Sequence, residues 1–257
     1  MILSLLTRTV KIMAKQRLDV AVVERGLAES REKAQRLILA GAVRVDGQVA
    51  DKAGRPCDTE AVIEVEAGEK FVSRGGGKLE AAFEAFPLDV TGLICADIGA
   101  STGGFTDCLL QHGAAKVYAI DVGKGQMDWR LRNDPRVVVR EGLNARFLSE
   151  RDIPERFQFA VVDVSFISLT LILPPVTKLI APGGQIVSLI KPQFEAGREL
   201  VGKGGVVRDP AVREDVIERI RQFGTRTLPL DWMGLCESPL KGPAGNVEFL
   251  GWWRKIL

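Results

Sequence analysis

The segment from Leu93 to Phe105 constrains this chain more than any other. Leu93-Ile94-Cys95-Ala96-Asp97-Ile98 is a short apolar run of buried-strand length, and Gly99-Ala100-Ser101-Thr102-Gly103-Gly104-Phe105 follows at once. A helix through Thr106 to Gln111 is expected next, stopping near Gly113. Small residues in such a turn let backbone N–H groups and a helix N-terminus approach a ligand closely. The following apolar run, Lys116 to Ile120, ends at Asp121, 22 residues after Gly99. That spacing suits a carboxylate gripping the ribose hydroxyls of an adenosine-containing cofactor.

Further strands are expected at Val137–Arg140, Phe159–Val162, Gln185–Ile190, Arg226–Leu230 and Val247–Gly251, with helices at Leu169–Leu179 and Ala211–Phe223. The alternation predicts an α/β fold, a Rossmann-like parallel sheet with helices on both faces. The turn is neither Gly-x-Gly-x-x-Gly nor the phosphate-cradling Gly-x-x-x-x-Gly-Lys-Ser/Thr, so a dinucleotide and nucleotide hydrolysis are both disfavoured. S-adenosylmethionine carries no phosphate and needs only a narrow turn, which points to a methyltransferase.

At 257 residues there is room for one large domain and a small one. Charged residues at 26% and 46% hydrophobic content exclude a disordered chain. Cys57, Cys95, Cys108 and Cys236 have no ligand-like spacing, and His112 is the one histidine, so no metal is expected. Free thiols fit a reducing, cytoplasmic setting. No run reaches eighteen apolar residues; Met1 to Leu6 is apolar but short, and stable membrane insertion is not expected.

Residues 15 to 68 read as a small module. Leu18, Val22 and Val23 share one helical face, and Ser30 caps a second helix carrying Ala34, Leu37 and Ile38. Asp46-Gly47 signals a tight hairpin within Val43–Val49, and a strand at Ala61–Val65 closes the unit. Arg17, Arg31, Lys33, Arg36 and Arg44 cluster in its first part, as a phosphate-binding platform would require. Residues 69 to 86 form a junction and a first helix, with Gly75 to Gly77 readable as a hinge; residues 87 to 257 form the large domain.

The run Gln16-Arg17-Leu18-Asp19, Leu27, Ser30-Arg31, Ala34 to Ile38, Gly41 and Val43 to Gly47 resembles the S4-type RNA-binding domain. In that family two helices and a hairpin present basic residues to folded RNA. Taken whole, the chain resembles the TlyA-type proteins, described as haemolysins and as ribosomal RNA 2'-O-methyltransferases, whose large domain is similar to the FtsJ-type fold. The resemblance is carried by Val72 to Leu79, Asp97 to Asp107, Ala119 to Gly123, Asn144 to Arg146, Asp163 to Leu169, Lys191 to Glu195 and Gly245 to Phe249. It implies a Lys-Asp-Lys-Glu tetrad, which falls on Lys78, Asp163, Lys191 and Glu248. It further implies S-adenosylmethionine as cofactor, held by Gly99, Ser101, Thr102, Gly103, Gly104, Asp121 and Asn144. Ribosomal RNA or ribosomal subunits would be the partner, with Arg74 joining the basic residues and cytidine of 16S or 23S RNA as target.

The chemistry asks for these residue types. A 2'-hydroxyl must lose its proton as it attacks the methyl carbon, and a neutral lysine can take it. Carboxylates beside the lysines favour their charged form and oppose that role unless packing or the positive sulfonium offsets it; Lys191 is read as the base and Lys78 as an electrostatic and positioning partner. The plain alternative for Asp163 with Ser165 is that they simply cap the next helix. Gly202 to Gly205 reads equally as a mobile, substrate-facing loop and as a plain surface loop, and Trp252 and Trp253 as packing or RNA-stacking residues. The alternatives are a non-catalytic RNA- or ribosome-binding factor and a haemolysin-like membrane-active protein.

Overall fold

The computed structural model describes residues 15–66 and 70–256, and the chain divides into two units between Gly68 and Glu69. The apolar start Met1–Leu6 lies outside the described residues.

The first unit runs β1 (Lys15–Arg17), α1 (Leu18–Glu24), α2 (Arg31–Leu39), β2 (Val43–Val45), β3 (Gln48–Val49), β4 (Pro56–Asp58) and β5 (Ile63–Val65). Ser30 Oγ accepts from Lys33 N at the start of α2, as its sequence position predicts. Asp46 adopts a positive φ of 52° in the β2–β3 turn. Leu18, Ala21, Val22, Ala34, Ile38, Val43 and Ile63 close one core. The antiparallel β1–β4 pair is additional to the predicted elements.

Asp19 organises this unit. Fully buried, its carboxylate receives Arg17 Nε at 3.0 Å, Arg31 Nε at 2.9 Å and Gln35 Nε2 at 2.8 Å. The Arg17 guanidinium, aided by Gln35 and Arg31, holds the Asp19 carboxyl far below the usual range.

The second unit carries α3 (Gly75–Ala85), β6 (Ile94–Ile98), α4 (Gly104–Gln111), β7 (Lys116–Asp121), α5 (Trp129–Arg132), β8 (Val137–Glu141), β9 (Phe157–Val162), α6 (Leu169–Leu179), β10 (Ile180–Ile190), α7 (Pro192–Glu195), α8 (Pro210–Thr227), β11 (Leu230–Glu237) and β12 (Phe249–Lys255). Its seven-stranded sheet has the order β11-β12-β10-β9-β6-β7-β8. The five strands from β10 to β8 are parallel; β12 alone is reversed, pairing antiparallel with both β10 and β11. The sheet is therefore mixed, not wholly parallel as the alternation suggested. The strand expected at Arg226–Leu230 is instead the end of α8 followed by β11. Helix geometry holds through Thr227, and Pro229 separates the two elements.

Alternate side chains of each central strand serve opposite layers. Phe159, Val161, Val187 and Leu189 pack with Leu79, Phe86 and Leu109 of α3 and α4. Ala160, Val162, Ile186 and Ile190 pack with Leu169, Ile172, Val176, Val216 and Ile220 of α6 and α8. Trp253 is fully buried there, donating Nε1 to Ser188 Oγ at 2.9 Å, and Trp252 stacks on Phe86 and donates to Gln185. Both tryptophans are thus packing residues. Gly75 to Gly77 form the first turn of α3 rather than a hinge.

Candidate active site

The glycine turn after β6 is built by close approach. Gly99 has φ 87°, and a Cβ there would run into the backbone carbonyl of Asp163, the residue that leaves β9. Asp163 N in turn donates to Ile98 O at 2.9 Å, so the β6 and β9 loops are one unit. A Cβ on Gly104 would meet Ser73 Oγ and lie 2.8 Å from Gly76 N, so α4 begins directly against the first turn of α3. Val72 N donates to Asp107 Oδ2 at 2.8 Å and fixes the segment that leads into α3.

A cavity of about 460 Å³ opens at the carboxyl ends of β6, β7 and β9. Gly99, Ser101, Asp121, Asn144 and Asp163 line it, with Ile120, Leu143, Ile167 and Ile172 as apolar wall. Asp121 orders two loops, accepting from Ser101 N at 2.8 Å and from Gly123 N at 2.6 Å. Asn144 Oδ1 caps the short 3-10 helix Ala145–Phe147 through Arg146 N at 3.0 Å. A second hollow of about 150 Å³ shares Gly99, Ser101 and Asp163 and adds Ser73, Asp97, Thr102 and Gly104. Gly103 lines neither space; it is the left-handed N-cap of α4, with no room for a side chain against Met127 and Leu131.

Asp97 is the unexpected group here. It is fully buried, receives Thr106 Oγ1 at 2.7 Å on one oxygen, and has no partner for the other among the described residues. Burial pushes its carboxyl up to about 7. The sequence marks it only as the last acid of an apolar strand.

The four residues of the expected tetrad meet as two ion pairs. Lys191 Nζ lies 2.5 Å from Asp163 Oδ1 and donates to Ser165 Oγ at 2.9 Å. Lys78 Nζ lies 2.6 Å from Glu248 Oε2, and Glu248 is 1% exposed. The β10–β12 register pairs Ile190 with Phe249, which sets Lys191 beside Glu248 across the ladder. Gln193, on the turn after Lys191, donates Nε2 to Glu248 Oε1 at 3.0 Å and supports the Lys78–Glu248 pair. Sequence reasoning did not single out Gln193.

The α6 cap frees Asp163. Ser168 Oγ accepts from Thr170 N, while half-buried Glu195 accepts from Leu169 N at 2.7 Å and Ser168 Oγ at 2.6 Å. Asp163 and Ser165 are therefore not the cap of that helix but the partners of Lys191. Phe166 follows them with φ 64° and its ring 90% exposed at the cavity edge. Loop 202–207 is pinned by Asn246, whose side chain donates to Gly205 O and accepts from Val207 N.

The basic residues differ in availability. Arg17 and Arg31 bind Asp19, and Arg44 pairs with Glu66 at 3.1 Å. Lys33 and Arg36 on α2, and Arg74 at the start of α3, are exposed and form no ion pair among the described residues. His112 stacks on Phe83 and meets Glu80 at 3.0 Å, beside Cys108. Glu80 also holds Lys70 at 2.6 Å, so these groups form a hydrogen-bonded clasp.

Comparison with known proteins places this geometry in a family. The FtsJ-like methyltransferase model matches residues 71–255, and the S4 domain model matches residues 16–63. A Mycobacterium tuberculosis protein named 16S/23S rRNA (cytidine-2'-O)-methyltransferase TlyA is 49% identical over 244 residues, 93% of this chain and 90% of its own. Hemolysin A of Brachyspira hyodysenteriae is 48% identical over 91% of this chain and 98% of its own. A solved structure from Streptococcus thermophilus, titled as a hemolysin, is 45% identical, with TM-score 0.72, covering 95% of this chain and 90% of that one. Among the described residues no helix is long and apolar enough to cross a membrane. The chain belongs to the TlyA family, FtsJ-like methyltransferases that carry an S4 domain ahead of the catalytic fold.

Proposed function

We propose that this chain transfers the methyl group of S-adenosylmethionine to a cytidine ribose 2'-hydroxyl of ribosomal RNA. The observation that carries this reading is the two lysine–carboxylate contacts, Lys191–Asp163 and Lys78–Glu248, with Asp163 on the cavity wall. The name of the mycobacterial relative supplies the substrate class.

The residues fit the cofactor. Its adenosine matches the apolar wall of Ile120, Leu143 and Ile172, with Asp121 at the ribose. Its amino-acid end matches the smaller hollow, where the unpartnered Asp97 oxygen offers a buried acceptor to an ammonium. When bound, the cofactor supplies an electrophilic methyl group on a cationic sulfur.

The chain's own residues then position and deprotonate. Asp163 borders both spaces and holds Lys191, so one residue couples the cofactor site to the base. With the cationic sulfur of the bound cofactor opposing the charged form that Asp163 favours, Lys191 Nζ would accept the 2'-hydroxyl proton as that oxygen takes the methyl group. Lys78, fixed by Glu248, holds the ribose in line; orientation supplies much of the rate gain. Phe166 offers an exposed ring at the same mouth for a nucleobase.

The test is transfer of labelled methyl to purified small and large ribosomal subunits from an unmodified strain, with wild type and Lys191→Ala in parallel. Label on a ribose 2'-oxygen, lost in the variant, is expected. Cofactor binding without transfer to either subunit or to naked RNA would refute the ribosomal substrate.

A further inference from the structure

Among the described residues, Leu39, Val62, Val122, Trp129, Phe147 and Phe166 are the large apolar side chains more than 60% exposed. Four of these six lie on the segments that follow β7, β8 and β9, the cavity side of the sheet. Phe166 is absorbed by the active site. Trp129, 72% exposed, and Phe147, 71% exposed, are not, since neither lines the cofactor cavity.

Burying neither ring leaves a large apolar area in water, yet the backbone beneath both is firmly held. Gly142 N donates to Gly123 O at 3.2 Å and Leu143 N to Asp121 O at 3.0 Å, which ties the β8 loop to the β7 loop. Asp128 N donates to Thr102 O at 3.1 Å, and Arg132 meets Glu141 at 2.5 Å, which pins α5 to the glycine turn and to the end of β8. The Trp129 indole N–H donates to no group among the described residues. These rings are presented, not stray.

The charges around them have one sign left over. Arg130 and Arg132 are neutralised by Asp128 and Glu141. Lys124 and Arg146 are exposed and pair with no acid among the described residues, and Arg146 lies 5.6 Å from the Phe147 ring centre. Flat aromatic faces beside free cations match stacked bases and phosphates, whereas an apolar protein partner would call for a continuous aliphatic patch. The flanking residues Val122, Gln126, Leu143 and Ala145 line the cavity, so the surface continues from its rim.

We propose that the segments after β7 and β8 form a ledge for unpaired nucleotides of the substrate RNA flanking the target. Trp129 and Phe147 stack the bases, and Lys124 and Arg146 meet the phosphates. The assignment rests on RNA being the substrate, and it extends recognition beyond the S4 unit to the catalytic unit.

The test uses the full chain, a labelled single-stranded RNA of about a dozen nucleotides containing cytidine, and fluorescence anisotropy, with binding lengths as expected for stacking sites. Trp129→Ala and Phe147→Ala should each weaken RNA binding by about 5- to 150-fold, the range for one lost base stack. Trp129→Phe should restore most of it. Lys124→Ala and Arg146→Ala should each lower the salt slope by about one. Calorimetry with S-adenosylhomocysteine should give wild-type affinity in all four alanine variants. Wild-type RNA affinity in both aromatic variants would overturn the ledge. So would variants that bind free RNA normally but lose methylation of assembled subunits, because the face would then meet a ribosomal protein. Wild-type protein that binds S-adenosylhomocysteine but no RNA would refute the functional reading itself, a result distinct from either.

Discussion

The carbonyl oxygen of Asp163 occupies the space that a side chain on Gly99 would need. The turn that is to hold the cofactor and the acid that holds Lys191 are thus in direct backbone contact, and neither moves without the other. In an α/β sheet this is the crevice at the carboxyl ends of adjacent strands, where ligands bind. Here the crevice and the ion pair share one residue.

Gly99→Ala should therefore damage two properties at once. Its φ of 87° already disfavours alanine, and the added methyl must push Asp163 aside. Affinity for S-adenosylhomocysteine should fall by roughly tenfold or more, the effect of 1–3 kcal/mol of strain. Methyl transfer at saturating cofactor should fall as well. Calorimetry and single-turnover methylation would check it, and normal turnover with weakened binding would show the two sites to be separable.

Lys191→Ala should separate them in the other direction. Lys191 borders neither cofactor space, so binding of S-adenosylhomocysteine should stay near wild type. The rate of methyl transfer should drop by about 10²- to 10⁴-fold, the span for removal of a general base. Lys191→Arg should not rescue it, because a guanidinium keeps its proton in proteins. A variant with unchanged turnover would transfer the base role to Lys78.

The parts of this fold that were legible in the sequence are those whose burial is uniform. Runs such as Cys95 to Ile98 and Phe159 to Val162 are buried on both faces and read as apolar strands. Strand β11 was displaced because it is an edge strand with a register shift between Trp232 and Gly234, so its pattern of Leu230, Asp231, Trp232 and Gly234 does not alternate. The β1–β4 pair is three residues a side, carries Lys15, Arg17 and Asp58, and leaves too little pattern to detect. Strand direction has no sequence signal, which is why the reversal of β12 is not legible in the sequence. In the site, Gln193 escaped notice for a related reason: its contact with Glu248 comes from the antiparallel β10–β12 register.

Asp19→Asn should destabilise the S4 unit selectively. The carboxylate is buried under Arg17, Arg31 and Gln35, and an amide replaces one of its accepting oxygens by an NH2 group that faces their donors. Because both arginines are half exposed, the loss is about 1–3 kcal/mol, the cost of leaving buried polar groups without their partner. Because the folded carboxyl is held below its usual value of 3.8, its contribution is present above that pH and fades on acidification below it. Hydrogen exchange of Ala21, Ala34 and Ile38 amides should accelerate, while exchange in β6 and β9 stays unchanged. Equal acceleration in both units would show that they unfold together.

Asp97 should give the opposite pH signature. Its carboxyl is raised from 3.8 to about 7 by burial, so the folded protein binds a proton more tightly than the unfolded chain. Stability from this group is fully present below about pH 4 and is lost as pH rises to about 7. The displacement corresponds to roughly 4 kcal/mol as an upper bound. Asp97→Asn should therefore raise Tm at pH 8 and leave it nearly unchanged at pH 4. The same residue should make cofactor binding tighten with pH up to about 7 and then level, because only the ionised form pairs with an ammonium. Calorimetry with S-adenosylhomocysteine from pH 5.5 to 8.5, in two buffers of different ionisation enthalpy, would count the proton released. A flat profile, with no proton released in wild type and equal affinity in Asp97→Asn, would remove Asp97 from the cofactor site.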